Sequence, residues 1–199
     1  MPIAINGSGT ITGVSVGGLP DGIVDTDMIA AGAVTAPKKG AGSILQVVSS
    51  VLDPGSNNIA SNNANPQPCG LITTVTPIAA SSKFIVCQGG NAVHLNNSVS
   101  NNSLKLFIYA SVAGGSYANV ASAHIQSTTV FTGLTIDFTY QHVFHPTVSY
   151  SLGQTVAFQT FYNRGPNSGG GSQDVYYWHH AGGAGPNTRI QQIVMEVAT

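Results

Sequence analysis

Six histidines and seven carboxylates are the side chains of this 199-residue sequence that could ligate a metal or transfer protons. Glycoside hydrolysis needs two carboxylates on one cleft. The acidic residues beyond residue 41 are Asp53, Asp137, Asp174 and Glu196. They are single and widely spaced, so the sequence predicts no catalytic site and no cofactor, and a glycan-degrading enzyme stays a minor alternative.

Histidine spacing gives no clear metal site either. His142 and His145 would face opposite sides of one strand, and the adjacent His179 and His180 meet the same objection. In a trimer, three copies of one histidine could meet on the axis and suit a transition metal. Ordinary strand or loop histidines are the simpler interpretation, and the sequence predicts no metal site.

The most unusual local feature is the cluster Tyr176, Tyr177, Trp178, His179 and His180, which holds the single tryptophan and is flanked by glycines. Aromatic side chains with a polar end are enriched at interfaces. Two interpretations stay open: a core or subunit-interface strand, and an exposed recognition patch. On a regular strand, Tyr176 and Trp178 would share one face, with Tyr177 on the other.

Composition restricts the class of function. Hydrophobic residues make up 42% of the chain, but charged residues make up only 7%, against about 25% in a typical soluble domain. The one adjacent basic pair, Lys38 and Lys39, is too small for phosphate binding, which excludes nucleic acid as a partner. Because so weakly charged a surface tends to associate, we expect the chain to be a homo-oligomer.

The cysteines and the apolar runs place few further restrictions on the class of protein. Cys69 and Cys87 are interpreted as buried, reduced thiols, although they could pair if their strands were adjacent. The N-terminus lacks the basic and apolar regions of a signal peptide. No apolar run approaches the length of about 20 residues that a membrane-spanning helix needs, so no membrane insertion is expected.

Residues 1–41 differ from the rest, being rich in glycine and lacking aromatic residues. Their apolar side chains are too few for an independent core, which predicts an extended, Gly/Ala-rich arm that docks on another surface. The candidate attachment residues are Ile11, Val14, Val16, Leu19, Met28 and Ile29.

Residues 42–199 carry period-two alternation bounded by Gly, Pro and Asn clusters, the pattern of β-strands. The clearest example places Leu104, Leu106, Ile108 and Ala110 on one face. Strands are predicted over 43–51, 70–75, 83–87, 104–112, 135–142, 155–162 and 189–197. With about eight strands and no helical period, the fold class is all-β, an antiparallel, jelly-roll-like β-sandwich.

Three segments carry a family resemblance: GTITGVSVGGLPDGIVDTDMIAAGAVTAPKKGAGSILQVV (9–48), GLITTVTPIAASSKFIV (70–86) and RIQQIVMEV (189–197). They resemble the stretch before the C-terminal knob, and strands of that knob, in tail-fibre and other virion proteins of bacteriophages. The resemblance implies a trimeric jelly-roll knob and N-terminal attachment to the virion. The long repetitive shaft of such fibres is missing.

The resulting prediction is a non-enzymatic virion structural protein, assembled in the cytoplasm of a bacterial host. It would be a short trimeric tail fibre with its arm (1–41) bound to other virion proteins and its knob (42–199) contacting the host, whose partner could be a surface glycan. A capsid decoration, or cement, protein is the alternative.

Overall fold

The computed structural model of the chain divides into two compact units, Met1–Lys39 and Gly40–Thr199. The residues that it describes are 4–5, 11–12, 33–35, 38–52, 59–61, 65–95, 103–126, 137–164, 175–178 and 190–199. In the first unit, two short antiparallel strands pair through Ile5 and Ile11. Lys38 Nζ donates a hydrogen bond to the carbonyl of Ala33 at 3.1 Å.

The described residues form β-strands and no α-helix. The strands are β1 (Ala4–Ile5), β2 (Ile11–Thr12), β3 (Ile44–Leu52), β4 (Ile59–Ser61), β5 (Gln67–Val75), β6 (Lys83–Leu95), β7 (Ser103–Val112), β8 (Ala118–Gln126), β9 (Asp137–Phe144), β10 (Val156–Arg164), β11 (Val175–Trp178) and β12 (Ile190–Val197). None of the described segments is a helix long and apolar enough to cross a membrane.

The second unit is an antiparallel sandwich of two sheets. One, the β10 sheet, has the order β5-β10-β7-β8. The other, the β12 sheet, runs β3-β12-β6-β9, with β11 and β4 added beside the far end of β6. Apart from the short β4 and β11, the chain alternates between the two sheets except at β7 and β8, which are successive strands of the β10 sheet. This interleaving of two Greek keys is the jelly-roll arrangement, so the predicted fold class is confirmed.

The core lies between the sheets because alternate side chains of each strand point inward. From the β10 sheet, Leu106, Ile108 and Phe158 are fully buried, as the alternation in the sequence predicts. From the β12 sheet, Phe84 and Val194 meet them in a single hydrophobic cluster. Phe84 and Phe158 pack with their ring centroids 5.2 Å apart.

The short β4 (Ile59–Ser61) was not predicted, and two longer strands differ from the prediction. β8 (Ala118–Gln126) was not predicted, because its inward side chains are small, such as Ala121 and Ala123, and give a weak apolar alternation. β6 continues to Leu95 beyond the predicted end at residue 87. In the sequence, the glycine pair Gly89 and Gly90 indicates a turn. In the structure this part of β6 pairs with β12 on one edge and with β9 on the other, so the chain stays extended.

One irregularity in β5 has a local cause. Gly70 has a φ of +83°, a conformation that glycine adopts without the steric penalty of other residues. The register between β10 and β5 shifts at the same place, between Gln159 and Phe161. Gly70 therefore accommodates a β-bulge in the β10 sheet.

Candidate functional site

The aromatic cluster is partly described. Tyr176, Tyr177 and Trp178 belong to β11, whereas His179 and His180 lie outside the described residues. β11 pairs with β4, and the register shifts between Tyr176, opposite Ala60, and Trp178, opposite Ile59. Because a bulge interrupts the alternation of side chains, simple period-two counting does not assign the faces of this strand.

The position of β11 in the sandwich is well defined. It pairs with His94 and Leu95 at the end of β6. The start of β6, at Lys83, pairs with Val197, and the amide of Gly42 donates to Ala198 at this same end. The twelve residue steps from Lys83 to Leu95 correspond to about 40 Å of strand. The aromatic strand and the start of the sandwich domain therefore lie at opposite ends.

The remaining predicted site residues are mostly outside the described part of the chain. Ile11 lies in β2, whereas Val14, Val16, Leu19, Met28 and Ile29 are outside it. Their role in attachment stays a prediction. Among the described residues, no group of three His, Cys, Asp or Glu side chains could hold a metal ion.

Both cysteines are free thiols, and they lie in different sheets. Cys69 of β5 points into the core, and burial raises its pKa to about 12, against weaker lowering by hydrogen bonds such as that with Thr160. Cys87 of β6 is half-buried rather than buried, and burial raises its pKa as well. The prediction of reduced thiols is right, but Cys87 points to the opposite side of its strand from the core residue Val86.

The surface that the sequence analysis missed is the outward side of the β12 sheet, here called the aliphatic face. In β12 the buried side chains are Ile190, Gln192, Val194 and Glu196, so the residues between them point outward. The other three strands alternate in the same way. The aliphatic face consists of Val47, Ser49, Val51, Ile85, Cys87, Gly89, Gln141, Val143, Gln191, Ile193 and Met195.

None of these eleven residues is charged, and the next outward row of the same sheet holds Val197 and the exposed Lys83. Val47, Val51 and Val143 are 57%, 52% and 54% exposed, while Ile193 and Met195 in the centre are half-buried by their neighbours. Four strands and three rows of side chains cover about 400 Å² at the usual spacings. The largest apolar patch on a typical monomer measures about 300–600 Å² and is often functional, and this face, which includes Ser49, Gln141 and Gln191, falls within that range. A stable interface needs about 800 Å² per partner, so adjoining surface must contribute too.

The inward side of β12 carries a carboxylate instead. Glu196 is fully buried, and its oxygens accept hydrogen bonds from Gln46 Nε2 at 2.5 Å, from Ser82 Oγ at 2.6 Å and from the amides of Ile78 and Ala79. Burial alone would raise the pKa of Glu196, but these donors together lower it below its ordinary value. The carboxylate thus fixes the β5–β6 turn and has a structural role.

A second set of buried polar side chains connects the two sheets through the core. Gln88 Nε2 and Gln192 Nε2 both donate to Thr160 Oγ1, at 2.7 and 3.1 Å, and so join the two sheets. All three side chains are buried. The sequence RIQQIVMEV at the end of the chain therefore places Gln192 and Glu196 inside, while Ile193 and Met195 face outward. Polar and apolar side chains therefore occur on both sides of this strand.

The outward side of the β10 sheet is different and is here called the aromatic face. Its rings are Phe107, Tyr109 and Phe161, with Tyr117 beside them. Tyr109 stacks on Phe161 with a centroid distance of 4.1 Å. Lys105 Nζ lies 4.9 Å from the centre of the Phe107 ring, close enough for a cation–π contact.

Comparison with known proteins adds no argument to the fold described above. The sequence matches no protein-family model and no curated protein. Among solved structures, a chain from "Structure of infectious bursal disease virus Gt strain" is similar to 80% of this chain, at 13% identity and a TM-score of 0.28. The matched region is 39% of that chain, so this protein spans about two fifths of its length. A likeness at this level carries no conclusion about function.

Proposed function

We propose that the chain is a structural protein of a bacteriophage virion, a short homotrimeric tail-fibre protein. Residues 1–41 anchor it to other virion proteins, and the jelly roll projects as a knob for host attachment. It works through its surfaces rather than as an enzyme. The single observation that carries the proposal is the aliphatic face, and the sequence resemblance to phage tail-fibre proteins supplies the virion context.

The aliphatic face supports self-association for two reasons. Valine side chains more than half exposed on a flat, uncharged sheet would make a free monomer prone to non-specific association. A second copy of the chain removes this surface from water without demanding charge complementarity. Closed symmetry then limits the assembly to a fixed number of chains, three in this proposal.

The geometry of the sandwich fits attachment at one end and recognition at the other. The sandwich begins at Gly40, beside the last residues of β12, and β11 lies about 40 Å away along β6. A knob anchored through residues 1–41 would thus present Tyr176, Tyr177 and Trp178 at its distal end. Aromatic side chains of this kind suit contact with a surface glycan.

Assembly is tested by sedimentation of the purified full-length chain. We expect a mass of three chains at micromolar concentration. A stable monomer would overturn self-association, and a dimer would overturn the trimer.

Location and anchoring are tested in particles. Deleting residues 1–41 is expected to leave the melting transition of the sandwich in place and to abolish incorporation into virions. Gold labelling of the full-length protein should mark the tail. Labelling over the capsid surface would show a decoration protein instead, and loss of folding on deletion would refute the division into arm and knob.

Host contact is tested with Trp178→Ala and Tyr177→Ala variants in an adsorption assay. We expect Trp178→Ala to lower stability or trimer assembly and Tyr177→Ala to reduce adsorption with the fold intact. If Trp178→Ala melts like the parent while adsorption falls, the roles of the two residues are reversed. If neither variant changes melting or adsorption, β11 takes no part in host contact.

A further inference from the structure

A cleft of about 690 Å³ opens beside the start of β6. One wall is formed by residues 80–85, and the other by residues 145–150, which follow β9. The rings of Phe84 and Tyr150, both lining residues, lie 5.6 Å apart. The volume is within the range of ligand pockets, about 300–1,000 Å³.

The first wall is an unpaired sheet edge. β6 pairs with β12 from Lys83 onward, but its ladder with β9 begins only at Val86, opposite Phe144. Within the described residues, no backbone hydrogen bond joins 83–85 to 145–150. Because successive residues of a strand point their N–H and C=O groups to alternate edges, some polar backbone groups of this stretch face the cleft without a strand to pair with.

The two walls are held in place by the side chain of Tyr150. Its hydroxyl accepts a hydrogen bond from the amide of Ser82 at 2.8 Å and donates one to the carbonyl of Ala79 at 2.7 Å. Glu196 also fixes this β5–β6 turn, because its carboxylate accepts hydrogen bonds from Ser82 Oγ and from the Ala79 amide. The opening is therefore preorganised, which reduces the entropic cost of filling it.

The dimensions and charge of the cleft indicate its occupant. One residue of an extended strand in a sandwich occupies about 3.3 × 4.8 × 10 Å, roughly 160 Å³, so the cleft holds about four residues. Its lining contains the exposed Lys83 and His145 and no carboxylate. A strand that completes the edge would thus be favoured by a carboxylate at one end, facing the Lys83 ammonium.

We propose that this cleft accepts an extended peptide of about four residues from another protein, which adds a strand to β6 and places a carboxylate near Lys83. The carboxylate belongs either to an Asp or Glu side chain or to a chain terminus. Main-chain pairing supplies affinity in this mode of recognition, and the side-chain contact supplies selectivity. The site does not depend on the proposed virion function, and it shares Ile85 with the aliphatic face.

The test uses full-length protein, synthetic pentapeptides and amide chemical shifts. The acidic probe is acetyl-Thr-Val-Thr-Val-Asp amide, the terminal probe is acetyl-Thr-Val-Thr-Val-Thr with a free carboxylate, and the neutral control is the same peptide amidated. We expect shifts centred on residues 83–85 and 146–149, with the better carboxylate probe binding at least tenfold more tightly than the neutral control. Which carboxylate probe binds distinguishes the two sources.

Two controls make the result specific. Replacing the central threonine of the better probe by proline removes a backbone donor and should weaken binding at least tenfold. Lys83→Met should remove the advantage of the carboxylate, whereas Lys105→Met on the aromatic face should not. Shifts centred elsewhere, no shifts at millimolar peptide, or undiminished binding of the proline peptide would each overturn the proposal.

Discussion

The two outward surfaces of the sandwich differ in how far their side chains are covered by neighbours in the same chain. On the aromatic face, rings pack on one another, so Phe107 is only 6% exposed. On the aliphatic face, Val47 and Val143 are more than half exposed, and no neighbour covers them within the described residues. A flat array of branched aliphatic side chains cannot fold over itself as large rings can. The rings of the first surface are thus covered within the chain to a greater extent than the valines of the second.

The largest expected effect comes from placing a charge on the aliphatic face. Ile193→Asp lies at its centre, and a carboxylate without a partner would not be tolerated in an apolar interface. We expect complete loss of the trimer at micromolar protein with the fold retained, measured by sedimentation and circular dichroism. Val47→Asp, on the edge strand, serves as the second variant.

The matched control for that change is Ile72→Asp. Ile72 points outward from the β10 sheet and is 42% exposed, so the substitution is chemically identical but lies on the other surface. It should leave three chains associated. Equal dissociation by both variants would mean that the aliphatic face has no special role.

Truncating a side chain should reduce the free energy of unfolding on the aromatic face and leave it nearly unchanged on the aliphatic face. Phe107→Ala removes a buried aromatic side chain and should reduce the free energy of unfolding by about 3–5 kcal/mol. Val143→Ala on the aliphatic face should change it by less than about 0.5 kcal/mol. Both are measured by denaturant unfolding in the Ile193→Asp background, where assembly does not contribute. A large effect of Val143→Ala would show that the aliphatic face is covered within the chain.

A smaller effect is expected beneath the aliphatic face, at Glu196. Glu196→Gln keeps the shape but loses charge-assisted hydrogen bonds, which should reduce the free energy of unfolding by about 1.5–3 kcal/mol at neutral pH. The folded-state pKa of Glu196 is lowered, so its stabilisation is present above the unfolded pKa of about 4.3 and is lost as pH falls through the folded pKa.

The pH dependence of this loss of stability shows whether the charge of Glu196 or its packing produces it. The difference in stability between wild type and Glu196→Gln, followed by unfolding from pH 7 to pH 2, should shrink below about pH 4.3. A difference that stays constant over that range would assign the effect to packing rather than to charge. In the Ile193→Asp background, where assembly does not contribute, Gln191→Glu on the outward side of the same strand should show no such stabilisation.

The smallest effect concerns one thiol. Cys87 lies in the aliphatic face between Val143 and Ile193, so a maleimide should modify it at least tenfold more slowly in the trimer than in the Ile193→Asp monomer. Cys69 should stay unmodified in both, because it is buried and its pKa is raised to about 12. Equal rates at Cys87 in the two proteins would place the interface elsewhere.

Much of the fold follows from local pattern. Alternation in Leu104–Val112 and Thr155–Tyr162 predicted β7 and β10, and the sequence also predicted the all-β sandwich, since period-two burial is a local property of a strand. β8 was missed because its inward residues are small. β11 was noticed only as an aromatic cluster, because its pairing with β4 depends on residues more than 100 positions away.

What the sequence by itself determined is that the chain forms strands and carries little charge, and self-association stays a prediction from that low charge. For β12 it could not determine which side faces the core. In RIQQIVMEV, hydropathy alone would not place Glu196 inside, since a lone carboxylate avoids an apolar interior. Tertiary structure decided otherwise, because Gln46, Ser82 and a turn from β5 meet that carboxylate with enough donors to bury it. With Glu196 turned inward, the period of two leaves Ile193 and Met195 facing outward, where another copy of the chain can cover them.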